Sequence, residues 1–141
     1  MNPVFEYKFT VNEDPANYIR HVNNLSYLQW FIDTAIMHSD ALGWGIDACK
    51  ERNLAWVVKT HRIEYVREAF QGDELIIYTW IHKIDKTRST RRYKCVQKDN
   101  RKLIAKAETL WVLVDYKTGK PQPIPVDLKE KFIAVSIEDE P

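Results

Sequence analysis

Cysteine is nearly missing from this chain of 141 residues, glycine occurs only four times, and neither sign of charge is in excess. Cys49 and Cys95 stand far apart, which excludes a disulfide framework and a Cys/His metal knuckle; both read as small buried hydrophobes. The scattered glycines form no phosphate-cradling loop, and no Gly-x-Ser-x-Gly turn occurs, so nucleotide and serine-hydrolase chemistry have no support. A formal net charge of +1 predicts no general attraction to nucleic acid. No apolar run approaches the ~18 residues that span a bilayer. The start, Met1-Asn2-Pro3-Val4-Phe5-Glu6, has neither the basic head nor the apolar core of a signal peptide, so the expectation is a cytoplasmic protein with no membrane partner. Nor is there a repeat, a low-complexity tract or a linker. The length fits one domain over residues 1–141, and 45% hydrophobic with 29% charged residues is the composition of a soluble globular chain.

What is present is one crowded polar stretch ahead of a long apolar one. Residues 13–24 bring together Glu13, Asp14, Asn17, Arg20, His21, Asn23 and Asn24, and Leu25-Ser26-Tyr27-Leu28-Gln29-Trp30-Phe31-Ile32 follows directly. Asn23 or Asn24 is a good N-cap, because its side-chain oxygen can accept from a free N–H of the first helical turn. From Asn24 to about Leu42 the residues Leu25, Leu28, Ile32, Ala35 and Ile36 recur at helical spacing, while Tyr27, Trp30, Phe31 and Met37 fill a second apolar side. Such a helix, ~27 Å long at ~1.5 Å per residue, is expected to be buried on most sides and therefore wrapped by the rest of the chain.

The remainder is strand-like. Phe5, Tyr7, Phe9 and Val11 alternate with Glu6, Lys8 and Thr10, the two-residue period of a half-buried strand. Gly43-Trp44-Gly45 closes the long helix, and a short second helix is expected from Ile46 to Arg52. Strands follow at Leu54 to Val66, Asp73 to Ile84, Ser89 to Gln97 and Lys102 to Tyr116. They are separated by Phe70-Gln71-Gly72-Asp73, Asp85-Lys86-Thr87-Arg88 and Lys98-Asp99-Asn100-Arg101. Short turns between consecutive strands predict a four-stranded antiparallel meander. A last amphipathic helix is expected at about Val126 to Phe132. In the third strand Ile77, Thr79 and Ile81 point to one side and Ile76, Tyr78, Trp80 and Ile84 to the other. One helix covers one side, so the expected cover for the second is another copy of the chain, as a homodimer or a dimer of dimers.

The order of these features resembles the hotdog-fold thioesterases of the 4-hydroxybenzoyl-CoA thioesterase and acyl-ACP thioesterase type. The resemblance is carried by His21-Val22-Asn23-Asn24 with Tyr27, by Ile63-Glu64-Tyr65 and Gly72-Asp73, and by Val114-Asp115-Tyr116-Lys117-Thr118-Gly119-Lys120-Pro121 with Ile124-Pro125. It implies an α+β hotdog fold in which an antiparallel sheet wraps a long central helix. It also implies edge-to-edge pairing of two subunits, and hydrolysis of acyl-CoA or acyl-ACP thioesters at the dimer interface, assisted by a loop aspartate and without a cofactor. Two loop positions depart from the pattern: Arg20 stands where glycine usually precedes the histidine, and Asn17 stands four before His21, where many relatives carry aspartate. The rival reading is a non-catalytic acyl-thioester-binding hotdog protein, in which these departures mean lost activity. A hotdog dehydratase usually places its acid on the helix, where only Asp33 and Asp40 occur here.

Thioester hydrolysis needs a carboxylate to activate water or attack the carbonyl, and donors for the developing oxyanion. Asp14 is the candidate carboxylate, the only aspartate of the loop; its other reading is an aspartate closing an Asx turn. The free N–H groups near Asn23 to Leu25 are candidate oxyanion donors, since the helix dipole favours negative charge there. His21 either orients the carbonyl or a water, or packs as a capping histidine. Of Asn23 and Asn24, one is the cap and the other a site amide. Tyr27 is a candidate substrate contact or a core residue, and Glu64 a second carboxylate or a solvent-facing one. Lys86, Arg88, Arg91 and Arg92 gather near one hairpin, as the phosphates of an acyl carrier would require, or as solubilising charges on a sheet edge.

Overall fold

A computed structural model describes residues 2–12 and 22–141. The described elements are β1 (Phe5–Thr10), α1 (Asn24–Ala41), α2 (Ile46–Glu51), β2 (Leu54–Tyr65), β3 (Glu74–Asp85), β4 (Arg88–Gln97), β5 (Leu103–Asp115) and α3 (Val126–Lys131), with a final 3₁₀ turn at Ile137–Asp139. One five-stranded sheet runs in the order β1-β3-β4-β5-β2, and every neighbouring pair is antiparallel. This is the hotdog architecture, with α1 lying across the sheet.

The meander is shorter than the sequence suggests. β3, β4 and β5 follow one another, but β2 does not pair with β3; it crosses to the far edge and pairs with β5, while β1 takes the place beside β3. The turn after β2 is what permits the crossing. Gly72, at φ 87, holds a left-handed conformation that costs a side chain dearly, and its N–H donates to the carbonyl of Val11 while the Val11 N–H donates to that of Asp73. The turn therefore docks on the end of β1.

A bulge between Ile81 and Lys83 corrects a second expectation, since it returns Ile84 to the helix side of the sheet, where it packs with Leu42, Ile81 and Leu113. Leu75, Ile77, Thr79 and Ile81 thus form the inner row of β3 and Ile76, Tyr78 and Trp80 the outer one.

α1 is buried along one stripe, Tyr27, Phe31, Thr34, Ala35 and His38, and not on most sides. Leu28, Ile32 and Ile36, spaced at i, i+4 and i+8, are only half-buried, and Leu25 is 73% exposed. Beneath the stripe one core joins Tyr27, Phe31 and Ala35 to Leu75, Ile77, Tyr93, Cys95 and Ile104. A second core gathers Trp44, Cys49, Leu113, Ile124, Leu128 and Phe132 beyond the C-terminal end of α1. Both cysteines are buried thiols.

The outer face of the sheet has a cover of its own. Past α3, Ala134 pairs with Ile81, and the Val135 N–H donates to the Ile81 carbonyl. Arg92 then binds Glu140 at 2.6 Å and Lys94 reaches the carbonyl of Pro141 at 3.0 Å. The chain's own tail thus lies over part of the outer face, beside Arg92 and Lys94 of β4. Among the described residues no helix is long and apolar enough to cross a membrane.

Candidate active site

The polar end of α1 is built by its cap. The Asn23 side-chain oxygen accepts from the Leu25 N–H at 2.9 Å, and the Asn23 carbonyl accepts from the Ser26 N–H. Asn23 is therefore the cap, and Asn24, in the first helical turn, leaves its side chain in solvent. The cap also narrows the oxyanion expectation. With the Leu25 and Ser26 groups engaged, the Asn23 and Asn24 N–H groups are left without an acceptor among the described residues.

This end is pinned to the segment after β2. The Val22 N–H donates to the Ala69 carbonyl at 2.9 Å, the Ala69 N–H donates to the Tyr27 hydroxyl at 2.9 Å, and the Tyr65 hydroxyl donates to the Asn24 carbonyl at 3.3 Å. Tyr27 and Tyr65 meet edge to face, their centroids 5.4 Å apart. Tyr27 is 3% exposed, and burial pushes its hydroxyl above the ordinary tyrosine range, with the Ala69 hydrogen bond opposing the shift. It acts as a strut under the helix start. Asp14 and His21 lie outside the described residues.

The remaining candidates are dispersed. Glu64 is on the outer face of β2, within 3.5 Å of both Arg62 and Lys106, and so points away from the helix. Lys86 and Arg88 are exposed at the β3–β4 turn. Arg91 and Arg92 leave β4 in opposite directions, as strand alternation requires. Arg92 binds Glu108 and Glu140 on the outer face, whereas Arg91 is 2% exposed on the inner one. The basic group read from the sequence is thus two exposed cations at the turn, Lys86 and Arg88, one ion-paired arginine on the outer face, Arg92, and one buried guanidinium, Arg91.

Arg91 has a partner that sequence reasoning did not single out. Its Nη1 donates to His38 Nδ1 at 2.9 Å and to the Thr79 hydroxyl at 3.0 Å. A guanidinium only donates, so His38 Nδ1 carries the lone pair and its proton sits on Nε2. Burial, with the Arg91 charge added, pushes His38 down to about 3; burial lowers Arg91 to about 10, which keeps it charged at neutral pH. Half of the signal was available: Arg91 shares its strand parity with Ser89, Tyr93 and Cys95, which sends it inward, while the face of α1 that carries His38 towards β4 is set by the packing.

Residues 11–132 match the thioesterase-like superfamily. The chain belongs to that family. Two chloroplastic relatives, an acyl-carrier-protein hydrolase of Cuphea viscosissima and the palmitoyl-acyl carrier protein thioesterase of Cuphea hookeriana, are each 22% identical over 135 residues, 92% of this chain. The chain spans about a third of the length of these relatives, 33% and 32%. Among solved structures, a 1,4-dihydroxy-2-naphthoyl-CoA thioesterase from Synechocystis superposes with a TM-score of 0.83 at 18% identity, over 92% of this chain and 95% of that one. An acyl-ACP thioesterase from Bacteroides thetaiotaomicron gives 0.83 at 22% identity, over 99% of this chain and 55% of that one. These likenesses show the hotdog thioesterase fold.

Proposed function

We propose that this protein hydrolyses acyl thioesters carried on coenzyme A or acyl carrier protein. Family membership supports the reaction class, and the observation that carries the location is the start of α1, where Asn24 offers an exposed amide and an N–H with no acceptor among the described residues. In this reading Asp14 acts either as the base that removes a proton from water or as the nucleophile at the thioester carbonyl. The Asn24 N–H, at the positive end of the helix dipole, receives the oxyanion, and His21 orients the carbonyl or the water. The leaving group is an alkyl thiolate, whose conjugate acid ionises near ~8.5, so it departs with little help from an acid.

The second half of the proposal is a homodimer, or a dimer of dimers, paired along β2. Val57 and Val58 are 44% and 39% exposed on this edge strand. The half-buried Ile36 of α1 lines one cavity together with Leu54, Ala55 and Trp56 of β2. Lys86 and Arg88 would meet the carrier phosphates, with cytoplasmic acyl-CoA or acyl-ACP as the substrate pool.

Turnover of a panel of acyl-CoA and acyl-ACP thioesters, followed by thiol release, tests the activity. Asp14→Asn keeps the size of the side chain and removes its charge. It is expected to lower kcat by ~10² or more while leaving KM and thermal stability nearly unchanged. A variant that keeps more than about a third of wild-type kcat removes Asp14 from the mechanism. Saturable binding of the panel without turnover would instead establish the non-catalytic acyl-thioester-binding reading, in which the departures at Asn17 and Arg20 mean lost activity.

A further inference from the structure

Away from the polar start of α1, the C-terminal half of that helix, α2 and the beginnings of β2 and β4 enclose a cavity of about 260 Å³. Most of its wall is apolar: Ala35, Ile36, Trp44, Cys49, Trp111 and Phe132. The polar groups in the wall are two cations, Arg91 and Lys50, the hydroxyls of Ser39, Ser89 and Tyr116, and indole N–H groups. Arg91 lines the cavity with only Nη1 engaged, by His38 and Thr79, and neither Nε nor Nη2 has an acceptor among the described residues. Ser89 is 2% exposed, and among the described residues neither its hydroxyl nor the indole N–H of Trp56 has a partner. Lys50 adds a second cation, its ammonium 5.4 Å from the centre of the Tyr116 ring. Among the described residues no aspartate or glutamate lines the space.

Arginine and tryptophan side chains cannot accept a hydrogen bond, and an unpaired buried donor is costly. A water could answer one of these groups, but it would leave the guanidinium charge without a counter-ion. An occupant that answers all of them is an anion rich in acceptors, attached to an apolar body that fills the tryptophan-lined part. We propose that this cavity binds a carboxylic acid with an aliphatic or aromatic body, its carboxylate on Arg91 and Ser89 and its apolar part between Trp44, Trp56 and Trp111. The carboxylate suits Arg91 because a guanidinium donates to both of its oxygens at once. The acid released by acyl-thioester hydrolysis is of this class, so the site would hold product; that link rests on the reading above, whereas the binding does not.

The test is a titration of the wild-type protein with octanoate, 1-octanol and octylamine, followed by tryptophan fluorescence and by calorimetry. Octanoate is expected to saturate the site with a Kd at least roughly tenfold below that of octanol, the added charge-assisted contact making the difference, and octylamine is expected not to bind. Arg91→Met should abolish the preference of octanoate over octanol, and Ser89→Ala should reduce it. Octanol binding as tightly as octanoate, or no saturable octanoate binding by calorimetry, would overturn the proposal using the wild-type protein alone. So would an unaltered preference in a folded Arg91→Met variant. Asp14→Asn should bind octanoate like the wild type whether or not it turns over thioesters, which separates a failure of this site from a failure of the hydrolase reading.

Discussion

The buried pair His38–Arg91 makes the stability of the fold depend on acidity in a predictable way. His38 is 4% exposed in the last turn of α1, stacked on Phe5 with ring centroids 5.2 Å apart. A helix C-terminus ordinarily favours a protonated histidine. Here burial and the facing guanidinium oppose it, and the pKa falls from 6.5 to about 3. The unfolded chain therefore takes up a proton below about pH 6.5 that the folded chain refuses until about pH 3. The contribution is complete above the unfolded value and is lost on acidification through that window, at ~1.4 kcal/mol per pH unit. Between pH 7 and pH 4.5 the loss amounts to ~2.5 kcal/mol. His38→Gln is the control, because a glutamine oxygen can still accept from Arg91 and does not titrate. Urea midpoints for both proteins at several pH values between 7 and 4.5 give the difference, and carboxylates common to the two cancel. Wild-type stability should fall relative to the variant by about that amount. Curves that stay parallel to within ~0.5 kcal/mol would refute the claim that His38 is neutral when folded.

Three further outcomes are expected. Tyr27→Phe should cost ~1–3 kcal/mol in urea unfolding, because it strands the buried Ala69 N–H. Charge reversal at Lys86 and Arg88 together should raise KM for a CoA thioester and leave kcat nearly unchanged, as loss of uniform binding does; a fall in kcat alone would remove these cations from carrier binding. Light scattering at micromolar concentration should show a dimer or a larger assembly, and Val58→Lys should shift it towards monomer, since a charge inside a paired edge disfavours pairing; a monomeric wild type would sink the interface model.

Much of the architecture could be read from the sequence because its punctuation is local. The turn signals at Gly72-Asp73, Asp85-Lys86 and Asp99-Asn100 bound the strands to within a residue or two of where the structure has them. Which strand lies beside which is a different kind of fact. β2 and β5 are joined by register from Leu54–Asp115 to Tyr65–Ala105, a long-range match that no turn residue announces. The site shows the same division. Capping was legible because Asn23 acts on its own helix, but the grouping of Arg91 with Lys86, Arg88 and Arg92 took sequence neighbours for spatial ones. Period-two alternation sends Arg91 inward with Ser89 and Tyr93 and sends Arg92 outward to Glu108. Its partner His38 could be found only by knowing which face of α1 meets β4.

The tail alters the physical case for a second subunit. Had the outer sheet face been bare, its apolar residues would have demanded a partner across the face. Instead Val135 is buried there, and Arg92, Glu108 and Glu140 form a charged lattice beside Lys94, Lys106 and Glu64. The part of the face so covered, over β3 and β4, has less apolar surface to offer a partner. The unmet demand moves to the other side of the molecule, where β2 is a 12-residue edge strand with one row of backbone groups facing no neighbour in the sheet. Long exposed edges are ordinarily shortened, charged or covered. This one leaves Val57 and Val58 exposed, on opposite faces of the sheet. Pairing there would extend the sheet and cover both, and it would bring the cavity behind Trp56 close to the seam between subunits.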